Sequence, residues 1–172
     1  MKRSRKIVVL CHCLLNVNAK VLGLARSPGC SQNLVKGIVD GGAGIIQLPC
    51  PEMTYLGPRR WGMTREQYDT SGYRHHCREL VLPFVSQILD YRRNGYTIER
   101  VIGIDGSPSC GVKRTCEGYA GGEWGMAGDQ QQNLREVEGK GIFMEVLCGL
   151  LQEHGVAIPV DAVDENDMDG VS

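Results

Sequence analysis

Three short apolar runs, each leading into a cysteine, constrain this chain more than any other feature. Ile7 to Leu10 runs into Cys11-His12-Cys13, and Ile45 to Leu48 runs into Pro49-Cys50-Pro51-Glu52. Val101 to Ile104 passes through the turn residues Asp105, Gly106, Ser107 and Pro108 into Ser109-Cys110-Gly111. Short β-branched runs bounded by turn chemistry read as buried strands, and strands separated by helical stretches assemble into a parallel sheet. Ligands collect at the carboxyl ends of such strands. A cysteine delivered there is better placed for chemistry than one on a helix face.

The intervening segments fit one α/β domain of 172 residues, long enough to bury a real core. Ser31 is placed to cap a helix over Gln32 to Val39, whose Leu34, Val35 and Ile38 share one face, and Gly41-Gly42 stops it. Apolar positions at i, i+3, i+4 spacing predict the main helix from about Tyr73 to Arg93, with Pro83 kinking it or marking its true start. Strand Ile98 to Ile104, helix Ile142 to Gln152 and strand Val156 to Val160 complete the regular elements. The connections read as an irregular stretch from Leu14 to Pro28, a Pro/Gly/Arg-rich loop from Pro49 to Gly62, and a helical turn over Thr64 to Tyr68. A glycine-rich loop from Val112 to Asn133, carrying Trp124, reads as a lid. The basic start, residues 1–5, and the acidic end from Asp161 onward read as solvated termini.

Eight cysteines are many for this length. The apolar run behind Met1 to Lys6 is too short for a signal peptide, so cytoplasmic residence is the expectation, and metal or thiol chemistry outweighs disulfides. A net charge of -1 gives no general reason to expect nucleic acid or an anionic membrane as partner. Cys77 and Cys148 fall in helical segments and read as core, and Cys30 follows no strand. Cys116 is either a resolving thiol for Cys110 or an inert loop cysteine. His75 and His76 are adjacent on a helix, point apart, and read as a solvated helix start.

Cys13, Cys50 and Cys110 are far apart in sequence, so any shared site has to be assembled by the sheet. Three thiolates form an incomplete tetrahedral set for zinc, or three corners of a 4Fe-4S cluster whose fourth iron lacks a protein ligand. Cys11 competes with Cys13, since strand alternation would put both on one face.

The motifs Cys13-Leu14-Leu15, Cys50-Pro51-Glu52 and Ser107-Pro108-Ser109-Cys110-Gly111, in that order, resemble the 2-thiouracil desulfidase family (TudS-like) over roughly Ile7 to Val160. The chain reads Leu14-Leu15-Asn16-Val17-Asn18 where typical members continue with glycine, and it lacks their Arg-Tyr-Asp-Gly run, so the likeness is to a divergent branch. The resemblance implies a single-domain, three-layer Rossmann-like α/β fold with a mostly parallel sheet and a cluster site at the strand carboxyl ends. It implies a 4Fe-4S cluster on Cys13, Cys50 and Cys110, with Cys13 preferred over Cys11. It implies Glu52 as acid/base residue and Ser107 as substrate-positioning hydroxyl, with Ser109 as rival. The implied reaction is non-redox hydrolysis that releases sulfide from a thiolated nucleobase or similar thiocarbonyl compound.

Beside that ligand set, Asn16 and Asn18 are candidates for hydrogen bonds to a base edge, or simply shape a turn. Lys113 and Arg114 are candidates for attracting an anionic substrate, or are ordinary surface charge. Asp105-Gly106 stands where the family suggests a basic residue and marks the place where this branch would differ in substrate. The expected partner is a small thiolated molecule, with thiolated tRNA left open. The alternative, from a different class, is a non-catalytic iron–sulfur or zinc protein acting as sulfur carrier or redox sensor.

Overall fold

The computed structural model describes residues 2–119, 121–122 and 133–164. Its centre is a four-stranded parallel sheet in the order β2-β1-β3-β6, built from β1 (Lys6–Leu10), β2 (Gly44–Gln47), β3 (Thr97–Asp105) and β6 (Val160–Asp164). β1 and the second half of β3 are buried. That explains continuous apolar runs where a half-solvated strand would alternate.

Between β1 and β2 lies α2 (Gln32–Asp40); between β2 and β3 lie α3 (Pro51–Leu56), α4 (Arg65–Tyr68) and α5 (Ser71–Arg93); α6 (Ile142–Glu153) precedes β6. Parallel crossovers are right-handed. The chain moves one way from β1 to β2 and the other way from β2 to β3 and on to β6, so α2 covers one face while α5 and α6 cover the other. The result is three layers, of unequal weight. α2 has no fully buried residue, whereas α5 buries Tyr73, Cys77, Val81, Val85 and Ile88 and α6 buries Ile142, Phe143, Met144, Leu147, Leu150 and Leu151. The direction of winding reverses between the adjacent strands β1 and β3, and in doubly wound sheets the crevice at that reversal is where ligands bind.

Several connections are more ordered than the sequence suggests. The stretch after β1 forms a short helix, α1 (His12–Leu15), and a 3-10 turn, Val17–Ala19. The expected Pro49–Gly62 loop contains α3. α5 begins at Ser71 and runs through Pro83, whose ring faces solvent, so the carbonyl deprived of its N–H partner can turn to water. His76 is not a solvated residue: it meets the Thr54 hydroxyl at 2.9 Å and the Pro51 carbonyl at 3.2 Å, tying α5 to α3.

The expected lid contains a strand, β4 (Arg114–Glu117), paired antiparallel with β5 (Arg135–Glu138); its Trp124 lies outside the described residues. The final strand lies later than expected and takes in the start of the acidic segment. Asp161 bonds Arg100 at 3.3 Å and Asp164 bonds Arg114, so charges that read as a free end are paired at a sheet edge. Among the described residues no helix is long and apolar enough to cross a membrane.

Gly103 matters for the geometry that follows. A Cβ there would lie 2.4 Å from the Cys110 carbonyl oxygen and 2.7 Å from Val112. Gly103→Ala is expected to lower unfolding free energy by about 1–3 kcal/mol through overpacking, read from denaturant titration, with the Cys110 loop displaced.

Candidate metal centre

The strand ends stand level. Leu10 of β1 is in register with Gln47 of β2 and Ile102 of β3, and two further main-chain bonds carry the ladder beyond β1, Cys11 N–H to the Ile102 carbonyl at 3.0 Å and Leu48 N–H to the Leu10 carbonyl at 2.8 Å. Cys13 and Cys50 therefore leave neighbouring strands at one height. β3 overshoots to Asp105 and its loop returns, with Ile104 N–H donating to the Cys110 carbonyl at 3.0 Å. Cys13, Cys50 and Cys110 thus line one cavity of about 150 Å³, whose wall also includes Lys20, Glu52, Arg60, Ser107 and the apolar Val21, Leu24, Met63 and Ile104.

The return loop is held by one carboxylate. Asp105 Oδ1 accepts from the N–H groups of Val112, Lys113 and Arg114 at 3.0, 2.9 and 3.3 Å, and its side chain is buried. Asp105 is a scaffold residue and is not part of the cavity lining. Gly111 supports the same bend, since a Cβ there would sit 2.2 Å from the Arg114 carbonyl oxygen. Carbonyls of the loop also start α6, Pro108 accepting from Ile142 and Ser109 from Met144.

Cys11 and Cys13 do not share a face, because the chain turns into α1 directly after Cys11 and strand alternation ends there. Cys13 lines the cavity; Cys11 is buried beside Cys110 and does not. A hydrogen bond from the Cys13 thiol, reinforced by the Met53 N–H at 3.4 Å, brings Cys50 down to about 7 even though burial opposes it. Cys13, holding that proton and buried, is pushed up. Cys110 is likewise raised, by its hydrogen bond to Cys11 and by burial.

Glu52 and Arg60 form an ion pair in the cavity wall, Nε to Oε2 at 3.1 Å, with side chains only 13% and 3% exposed. Arg60 also donates to the carbonyls of Ala19 at 2.7 Å and Gly57 at 3.3 Å. Burial works against its charge, and the neighbouring Glu52 and Cys50 outweigh burial and raise its pKa. Ser107 Oγ accepts from the N–H groups of Cys110 at 3.0 Å and Ser109 at 3.3 Å. With both lone pairs engaged, its hydroxyl has only its proton to offer the cavity.

The remaining candidates lie elsewhere. Ser109 is fully buried, bonded to the Tyr73 hydroxyl at 2.8 Å, and does not line the cavity. Asn16 caps the 3-10 turn through Asn18 N–H at 3.2 Å. Lys113 is exposed and outside the lining. Arg114 is engaged by Glu136 at 2.7 Å, by Asp164 and by Asp105, so its charge is already answered within the fold. Cys116 belongs to β4 and does line the cavity, its thiol pushed up to about 11 by burial. Val21, Leu24 and Met63 carried no sequence signal, because they come from stretches without periodicity.

The donor set suits a soft-metal cluster. Zinc held by three thiolates at about 2.3 Å needs sulfurs within about 3.8 Å of one another. Among the described residues no group of three His, Cys, Asp or Glu side chains stands ready placed around a metal ion. In the metal-free chain, carboxymethylation of Cys50 is expected to set in at lower pH than that of Cys13 or Cys110, because the thiolate is the nucleophile and the pKa of Cys50 is lowered while theirs are raised. Cys77, pushed up to about 12 by burial, should stay unmodified at that lower pH, as peptide mapping would show.

The chain is similar to known proteins. A family model described as "Putative 2-thiouracil desulfurase" matches residues 5–124. An uncharacterized protein of Methanocaldococcus jannaschii is 38% identical over 110 residues, covering 64% of this chain and 70% of that protein. A solved structure of a 4Fe-4S-dependent thiouracil desulfidase, TudS, shares 22% identity and a TM-score of 0.49, over 94% of this chain and 92% of that one. By the family match across most of its length, the chain belongs to the 2-thiouracil desulfurase family.

Proposed function

We propose that this chain is a desulfidase that binds a 4Fe-4S cluster through Cys13, Cys50 and Cys110 and hydrolytically removes sulfur from a small thiocarbonyl compound such as a thiolated nucleobase. The observation that carries the reading is the convergence of three thiols, a carboxylate and a donor-only hydroxyl on one cavity. When bound, such a cluster supplies a Lewis-acidic iron for the departing sulfur.

The chain's own residues supply the rest. Glu52 has one oxygen held by Arg60 and the other available to take a proton from the attacking water, which is general-base catalysis. The proton so held can then pass to a ring nitrogen or to sulfide as the C–S bond breaks, and carbon, sulfur and oxygen keep their oxidation states. The Ser107 proton points to a carbonyl, thiocarbonyl or ring nitrogen of the bound molecule. Val21, Leu24, Met63 and Ile104 keep bulk water off the reacting atoms. Arg60 is paired to Glu52, and Lys20 is a second cationic side chain of the cavity wall.

Sulfide release from 2-thiouracil under argon tests the reading. Glu52→Gln is expected to keep cluster content and lower kcat by about 10²–10⁴-fold. Ser107→Ala is expected to retain the cluster while weakening turnover. A cluster-loaded chain that releases no sulfide from any thiolated base would favour the sulfur-carrier or sensor alternative.

A further inference from the structure

The side chain that the site leaves unexplained is Tyr68. It is 1% exposed, and its hydroxyl is a buried polar group with no hydrogen-bond partner among the described residues. Buried hydroxyls are ordinarily bonded, and one that is not calls for a reason. The adjacent Tyr73 shows the contrast: its ring stacks on Tyr68 with centroids 4.5 Å apart, yet its hydroxyl is satisfied by Ser109 at 2.8 Å.

Tyr68 has little freedom to seek a partner. It ends α4, whose capping box closes through Thr64 N–H to Gln67 Oε1 at 2.9 Å. Arg65 fastens the same turn to Glu145 at 2.7 Å and to the Lys140 carbonyl at 3.0 Å. Burial, and next to it the neighbouring Glu52 carboxylate, raise the pKa of this hydroxyl, with Arg60 opposing. Glu52 is the acceptor among these groups, although no hydrogen bond of acceptable geometry joins the two in this structure.

We propose that Tyr68 is a positioning residue for Glu52, its fixed hydroxyl donating to the Glu52 carboxylate when the site is assembled. A carboxylate pinned by Arg60 through one oxygen keeps a torsional freedom that a second, neutral donor removes, and orienting partners of this kind matter to activity nearly as much as the groups they orient. Placing the donor in advance explains why the fold keeps a buried hydroxyl where phenylalanine would fit. The inference rests on the role proposed above for Glu52.

Tyr68→Phe in the cluster-loaded protein tests it. Cluster content should be unchanged, while kcat for sulfide release falls about tenfold with KM little altered. In the Glu52→Gln background the same substitution should cost nothing further, a non-additivity that a packing role would not produce. Unchanged kcat, or a loss that simply adds to that of Glu52→Gln, would overturn the proposal. A readout independent of turnover separates its failure from failure of the proposed reaction: 3-fluorotyrosine at position 68 should show a ¹⁹F resonance that moves on Glu52→Gln. An unmoved resonance overturns the contact whether or not the protein releases sulfide.

Discussion

The site depends on a parallel ladder that ends level across β1, β2 and β3, because parallel pairing fixes where each strand releases its chain. Cys13 and Cys50 follow from that register alone. Cys110 needs more, since β3 runs on to Asp105 before its loop can return. Three N–H groups gathered on one buried carboxylate oxygen, and a strand glycine that lets the Cys110 carbonyl approach, bring it back. Both devices serve only to place a thiol.

A second, more costly arrangement sits in the wall. Charged side chains are seldom buried as deeply as Arg60 and Glu52, and the pair persists because Arg60 also satisfies two carbonyls. One consequence is that Glu52 stays beside the thiols with one oxygen restrained. Another is electrical: Arg60 in the wall is committed to a carboxylate, as is Arg114 beyond it, while Lys20 also lines the pocket beside the soft donors and one hydroxyl proton.

The sheet, and the delivery of Cys13, Cys50, Cys110, Glu52 and Ser107 to its strand ends, were legible because strand runs and turn residues are local signals. Features set by long-range bonding were not. β4 and β5 read as loop because Arg-Thr-Cys-Glu and Arg-Glu-Val-Glu carry little apolar content and are held by cross-strand ion pairs such as Arg114 with Glu136. Asp161 and Asp164 read as tail until Arg100 and Arg114 were seen opposite them. Ser109, adjacent to a cavity cysteine, turned inward to Tyr73. Tyr68 offered nothing in sequence beyond its place in a helical turn.

The central claim is that thiols from three strand ends serve one cofactor, with Cys13 and not Cys11 as the first of them. Iron and acid-labile sulfide per chain after anaerobic reconstitution test it most directly. The account predicts about four irons in the wild type, retention in Cys11→Ala, and loss in each of Cys13→Ala, Cys50→Ala and Cys110→Ala. Retention in Cys13→Ala with loss in Cys11→Ala would contradict it.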